Sequence, residues 1–239
     1  MQSTLSQVAI YGESNLGDHG CVSTTVQPRL ALSDRGPIAQ LRAGRLGRRL
    51  VQLYAGLLLY GFSIALMVRS GLGLAPWDVL HSGLTAWFPI DIGQALVIVS
   101  FVVMLAWIPL REMPGVGTIS NAIVIGVSTD LFLALLAAPG ALPIRVVLLL
   151  TGIVMQGAAT AAYIGAELGR GPRDGLMTGL ARRSGRSLRL VRTAMELTVV
   201  AIGLLLGGVA GVGTIVYALS IGPLSQALLP RMIVRSPVD

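Results

Sequence analysis

Two aspartates recur in matching surroundings. Asp78 lies in Gly73-Leu-Ala-Pro76-Trp-Asp78-Val-Leu80-His-Ser-Gly83-Leu84 and Asp174 in Gly169-Arg-Gly-Pro172-Arg-Asp174-Gly-Leu176-Met-Thr-Gly179-Leu180, an ungapped offset of 96 residues. A proline opening a short helix costs no backbone hydrogen bond, and an aspartate two residues later sits where the helix dipole favours a carboxylate. Two chemistries fit. The aspartates cap their helices, or two broken helices aim backbone amides and carboxylates into a shared cavity, the place where irregular backbone survives at membrane depth. On the second reading Gly73, Pro76, Asp78, Gly169, Pro172 and Asp174 bind a solute.

Asp130 and Glu196 are the other carboxylates placed deep in apolar stretches, and an ionisable group inside a span is a candidate proton carrier or ion ligand. The offset pairs Thr129-Asp130 with Ser225-Gln226 and Ser100 with Glu196, so both positions are polar in both halves. Against a coupling role, Asp130 can sit near a hydrated end, and Glu196 is one helical turn from Arg192, the spacing of a local ion pair. Gln94, Asn121, Gln156, Tyr163, Tyr217 and Ser220 can hydrogen-bond a solute or join helices. His81 stands alone, with Met177 at its counterpart, so no metal site is expected. No hydrolase, zinc-protease or P-loop pattern occurs; no catalytic residue, cofactor or enzymatic activity is expected.

The elements that must position these residues are apolar helices. Uncharged runs from Leu50 to Val68, Ile92 to Leu110, Val116 to about Ala138 (broken only by Asp130) and Val146 to Ala166 each approach the ~20 residues of one crossing. The run from Leu197 to Leu229 is too long for one helix, and its cluster Gly207, Gly208, Gly211 and Gly213 divides it into spans from about Leu190 to Gly207 and Gly213 to Leu229. A helix from Pro76 to about Trp87 is too short to cross and must be interfacial or re-entrant. The same offset carries Gly61 onto Gly157, Gly115-Val-Gly-Thr-Ile119 onto Gly211-Val-Gly-Thr-Ile215 and Gly126 onto Gly222. The expected fold is therefore all-α: a polytopic bundle of six transmembrane helices, formed by two three-helix repeats that each carry one short helix. An odd number of crossings per copy puts the copies in the membrane in inverted topology.

Composition agrees. With 54% hydrophobic and 12% charged residues and a mean hydropathy of +0.76, the chain excludes a soluble enzyme. All 18 basic residues are arginines, and they lie in loops, which encodes orientation rather than nucleic-acid binding. The collar Arg42, Arg45, Arg48 and Arg49, then Arg111, the loop arginines from Arg170 to Arg192, and Arg231 and Arg235 fall on one side, Arg69 and Arg145 on the other. That sorting predicts cytoplasmic termini. Residues 1–41 read as a disordered polar extension and not a signal peptide, followed by repeats over 42–137 and 138–233 and a cytoplasmic tail over 234–239.

On Leu59-Tyr-Gly-Phe-Ser-Ile-Ala-Leu-Met-Val-Arg69, Gly71-Leu-Gly-Leu-Ala-Pro-Trp-Asp-Val-Leu-His81 and Gly169-Arg-Gly-Pro-Arg-Asp-Gly-Leu-Met-Thr-Gly-Leu-Ala-Arg-Arg183, the chain resembles bacterial membrane proteins of the YczE type, in the YczE/YyaS/YitT group. The resemblance runs from about Arg49 to Leu229. It implies a multi-spanning protein of the bacterial plasma membrane and carries over no substrate, reaction or catalytic residue. The functional expectation is a small permease that moves a small polar or charged solute by rocking its two halves, with the lipid bilayer as surroundings and a homodimer compatible with its size. A channel with paired re-entrant segments and a non-transporting accessory protein are the alternatives.

Overall fold

The computed structural model describes residues 36–42 and 44–234. The expected disordered extension lies mostly outside the described residues, as does nearly all of the tail. Its last described residues are helical: α1 is Pro37–Arg42. The rest is α2 (Leu46–Ser70), α3 (Pro76–Thr85), α4 (Ile92–Leu105), α5 (Trp107–Leu110), α6 (Val116–Leu135), α7 (Leu142–Gly165), α8 (Pro172–Ser184), α9 (Leu188–Leu205) and α10 (Val212–Met232). Among the described residues there is no strand.

Every main helix start recurs at the offset of the repeat. Leu46 and Leu142, Pro76 and Pro172, Ile92 and Leu188, and Val116 and Val212 open equivalent helices. Glycines 115 and 211 begin the last pair identically, each donating to the hydroxyl oxygen of the threonine three residues on: Gly115 N–H to Thr118 Oγ1 at 3.1 Å and Gly211 N–H to Thr214 Oγ1 at 3.2 Å.

Among the described residues, five helices are long and apolar enough to cross a membrane: α2, α4 with α5, α6, α7 and α10. The expected fifth span, α9, is not among them: it has 18 residues but carries Arg189, Arg192 and Glu196 in its first half. The second expected span is interrupted, because Pro109 lacks the N–H that would reach Leu105 and its ring crowds that carbonyl, so α4 ends there. The fourth starts earlier than expected, with Pro143 absorbed into its first turn.

Packing directions follow from which ends meet. Arg49 at the start of α2 donates to Ala166 O after α7 (2.8 Å), while Arg145 at the start of α7 donates to Ser70 O (2.6 Å) and Gly71 O (2.9 Å) after α2. The two helices are antiparallel. Arg49 and Arg145 are themselves repeat counterparts, so each arginine supplies donors to the orphan carbonyls that end the other's helix. In contrast α6 runs parallel to α2, with Tyr54 on Ser120, Phe62 against Phe132 and Arg69 on Leu133 O. Likewise α10 runs parallel to α7, where Gly213, Gly157 and Gly165 approach Leu149, Leu224 and Met232 in turn. Small residues permit these approaches: α4 meets α6 where a Cβ on Gly126 would lie 2.5 Å from Gly93 O.

The loops before α3 and α8 cross over. Gly213 N–H donates to Leu72 O and Gly117 N–H to Leu168 O, both at 2.8 Å. Each half's broken segment is thus pinned by the other half's last helix, and the two pins lie at opposite ends of the bundle.

Candidate functional site

The pinned turns set where α3 and α8 begin. Gly73 (φ +129°) and Gly169 (φ +130°) share a backbone conformation that side chains rarely adopt, and each packs against the threonine that opens the partner half's last helix. Pro76 and Pro172 then open helices of 10 and 13 residues, about 15 and 20 Å long, which do not span ~30 Å of hydrocarbon. Behind α8, the Trp107 indole N–H donates to Pro172 O at 2.9 Å and its ring lies against Gly175. A Cβ at Gly175 would collide with that ring.

The first residues of both short helices face one cavity of about 40 Å³, room for roughly two or three water molecules. Asp78, His81 and Trp77 line it from α3, Pro172 and Arg173 from α8, Tyr60 and Ile64 from α2, Ser100 from α4, and Asn121 and Ile125 from α6. Tyr60, Ser100 and Ile125 place it near the middle of the long helices.

Its polar groups are partnered in two sets. His81 Nδ1 lies 3.1 Å from Asp78 Oδ1, both residues buried. Arg173 donates to Tyr60 Oη and its guanidinium stacks over the Tyr60 ring, 5.4 Å from the centroid. Among the described residues that is the one side-chain hydrogen bond it makes, and Arg173 itself lines the cavity. Tyr163 stacks edge-on against Tyr60 (6.2 Å) and donates to Asp174 Oδ2. An arginine, a carboxylate, a histidine and a tyrosine therefore line one small space, with Tyr163 and Asp174 behind Tyr60, and this space can bind a solute that both accepts and donates hydrogen bonds.

The expected binding residues separate by role. Asp78 and Pro172 line the cavity, whereas Gly73, Pro76 and Gly169 shape the turns, and Asp174 is held behind it by Tyr163. Neither Asp130 nor Glu196 reaches the cavity. Asp130 Oδ1 receives Gly93 N–H at 2.7 Å and ties α6 to the start of α4; Glu196 pairs with Arg192 at 2.8 Å along α9. For Glu196 this is the local ion pair that its spacing from Arg192 suggested, whereas the bond from Gly93 to Asp130 was not foreseen. His81 is not alone. The residue missed by sequence reasoning is Arg173, read there as one loop arginine among many; its signal was its place inside the repeated motif, between Pro172 and Asp174, where the first copy has Trp77.

Comparison with known proteins fixes the kinship. Residues 47–230 match a family described as a family of unknown function, DUF6198. The chain belongs to this family. An uncharacterized protein of Haemophilus influenzae is 42% identical over 185 residues, covering 77% of this chain and 84% of the relative. The uncharacterized membrane protein YczE of Bacillus subtilis is 32% identical over 182 residues (75% and 85%), and YyaS of the same organism 25% over 179 (73% and 89%). No solved structure matches. The resemblance to YczE-type proteins thus holds over most of the chain, and with its apolar helices the chain is a multi-pass membrane protein of the DUF6198 family.

Proposed function

We propose that this DUF6198 protein is a small secondary transporter, without enzymatic activity, that moves a small polar or charged solute across the bacterial plasma membrane. Its halves are inverted-topology repeats of three crossings, α9 among them, with both termini cytoplasmic. The antiparallel α2 and α7, the arginine ends they exchange and the opposite placement of the two pinned turns support that topology. Arg49, Arg182 and Arg183 gather at the end of the bundle assigned to the cytoplasm, the last two donating to the carbonyls of Leu110 and Pro109. The observation that carries the reading is that residues from both repeated turns, Asp78 and Arg173 among them, face one cavity at mid-depth. An intramembrane arginine is costly to keep and is a functional candidate for that reason.

The test is uptake into proteoliposomes of labelled small amino acids, carboxylates and amines, under an imposed proton or sodium gradient. Saturable, gradient-driven flux of a member of this panel is expected. Arg173→Met should lower it by about tenfold or more, the equivalent of one lost hydrogen bond to a charged group, with the thermal midpoint in detergent unchanged. A folded Arg173→Met protein transporting at the parental rate sinks the proposal. A complete lack of flux across the panel passes the reading to a membrane accessory protein.

A further inference from the structure

The offset of 96 maps the cavity lining onto a second set of residues. Tyr60 becomes Gln156, Ile64 becomes Thr160, Asp78 becomes Asp174, Ser100 becomes Glu196 and Asn121 becomes Tyr217. The two α7 members of that set have an unusual property. Gln156 is fully buried, and its Oε1 and Nε2, together with Thr160 Oγ1, are buried side-chain atoms with no hydrogen-bond partner. An amide that can make several hydrogen bonds makes none, in apolar surroundings where each omission is costly.

Position on α7 says where these atoms lie. Gly152 meets Ser63 and Met67, and Ala159 and Tyr163 meet Gly56, so the stripe through 152, 156, 159 and 163 faces α2. Gln156 and Thr160 stand four residues apart on that side, leading toward Tyr163 and the Asp174 carboxylate it holds. Elsewhere in the mapped set, Leu96 and Ser100 of the cavity correspond to Arg192 and Glu196, which bond to each other at 2.8 Å.

We propose that Gln156 and Thr160 form a second solute-binding face, the counterpart of the open cavity, closed in this conformation and exposed when the molecule faces the other side of the membrane. The Arg192–Glu196 pair closes it. Its free atoms are neutral, so this face takes uncharged hydrogen-bonding groups of the solute, hydroxyl or amide, while Arg173, on the short helix beside Asp174, holds the charged or most polar end in both states. This rests on the alternating-access reading above and adds to it that the second half has its own ligands.

Thiol accessibility in the full-length protein separates the two claims. Cys21→Ser removes the single native thiol; Ser100→Cys then reports the open cavity and Thr160→Cys the closed face, probed in oriented proteoliposomes with a membrane-impermeant maleimide added to either side. Ser100→Cys should label from one face and Thr160→Cys from the opposite one. Thr160→Cys should react about tenfold more slowly or less, as expected of a state populated at 10% or below. Adding Glu196→Gln should accelerate labelling at Thr160→Cys and slow it at Ser100→Cys. Labelling of Ser100→Cys alone, or of both positions from the same face, overturns the second binding face and leaves the cavity standing. Labelling of neither removes the second face together with the transport reading.

Discussion

The turn before Pro76 and the turn before Pro172 have the same backbone and different chemistry. Their glycines agree within a degree of φ, and their carbonyls at Leu72 and Leu168 are taken by equivalent amides at the same distance. Their side chains diverge: Trp77 stands where Arg173 does, His81 where Met177 does, and Asp78 pairs with histidine while Asp174 is held by tyrosine. The shared part is what a chain needs to enter an apolar bundle without leaving amides and carbonyls unpaired. The divergent part faces one cavity from two directions, and there identical copies would place two like residues together. A duplicated fold keeps its scaffold symmetric because both halves obey the same backbone constraints, and spends its asymmetry where the halves meet.

The largest effect expected from breaking this comparison is on the shared glycines. Gly73→Ala would bring a Cβ 2.8 Å from Thr214 N, and Gly169→Ala one 3.1 Å from Thr118 Oγ1, each in a strained conformation. Both should destabilise by about 2–4 kcal/mol, with Gly73→Ala the worse, as read from thermal or denaturant unfolding in detergent. Equal and negligible costs would show that the turns do not hold the halves together.

Next come the exchanged arginines. Arg49 is 2% exposed and donates to Ala166 O, Glu167 O and Gln40 O, whereas the Arg145 bond to Gly71 O is exposed. Arg49→Met should cost about 2–3 kcal/mol and Arg145→Met about 1 kcal/mol, since a carbonyl that loses its donor in the interior has no water to replace it. A larger loss at Arg145 in the same unfolding assay would reverse that ranking.

The smallest effect sharpens the functional contrast. Asp78→Asn removes a charge from the cavity wall, and Asp174→Asn removes one that Tyr163 already satisfies from behind. Solute flux in proteoliposomes should fall roughly tenfold in the first and about threefold or less in the second, from losing all or part of one charge-assisted hydrogen bond. Equal losses would place both carboxylates in contact with the solute.

Much of this architecture was legible beforehand, because hydrophobic runs bounded by arginine, glycine and proline mark helix ends, and one offset set every helix beside its twin. The short helix at Pro76 and the division within Leu197–Leu229 both appear close to where glycine and proline put them. What misled was reading charges by their loops. Arg173, Arg49 and Arg145 look alike as topology signals, yet one faces a cavity and two cap the opposite helix. The Arg192–Glu196 pair was legible in its four-residue spacing, while the bond from Gly93 to Asp130 joins residues 37 positions apart and was not.

By itself the sequence determined that the chain is a duplicated set of apolar helices, since hydropathy, helix length and a repeat register are properties of neighbours along the chain. Only the tertiary structure decided which side chains of one copy meet those of the other: that Asp78 and Arg173 face the same space while Asp174 stands behind it. Those contacts join residues nearly a hundred positions apart, and their geometry comes from how antiparallel helices pack, a relation that no linear offset encodes.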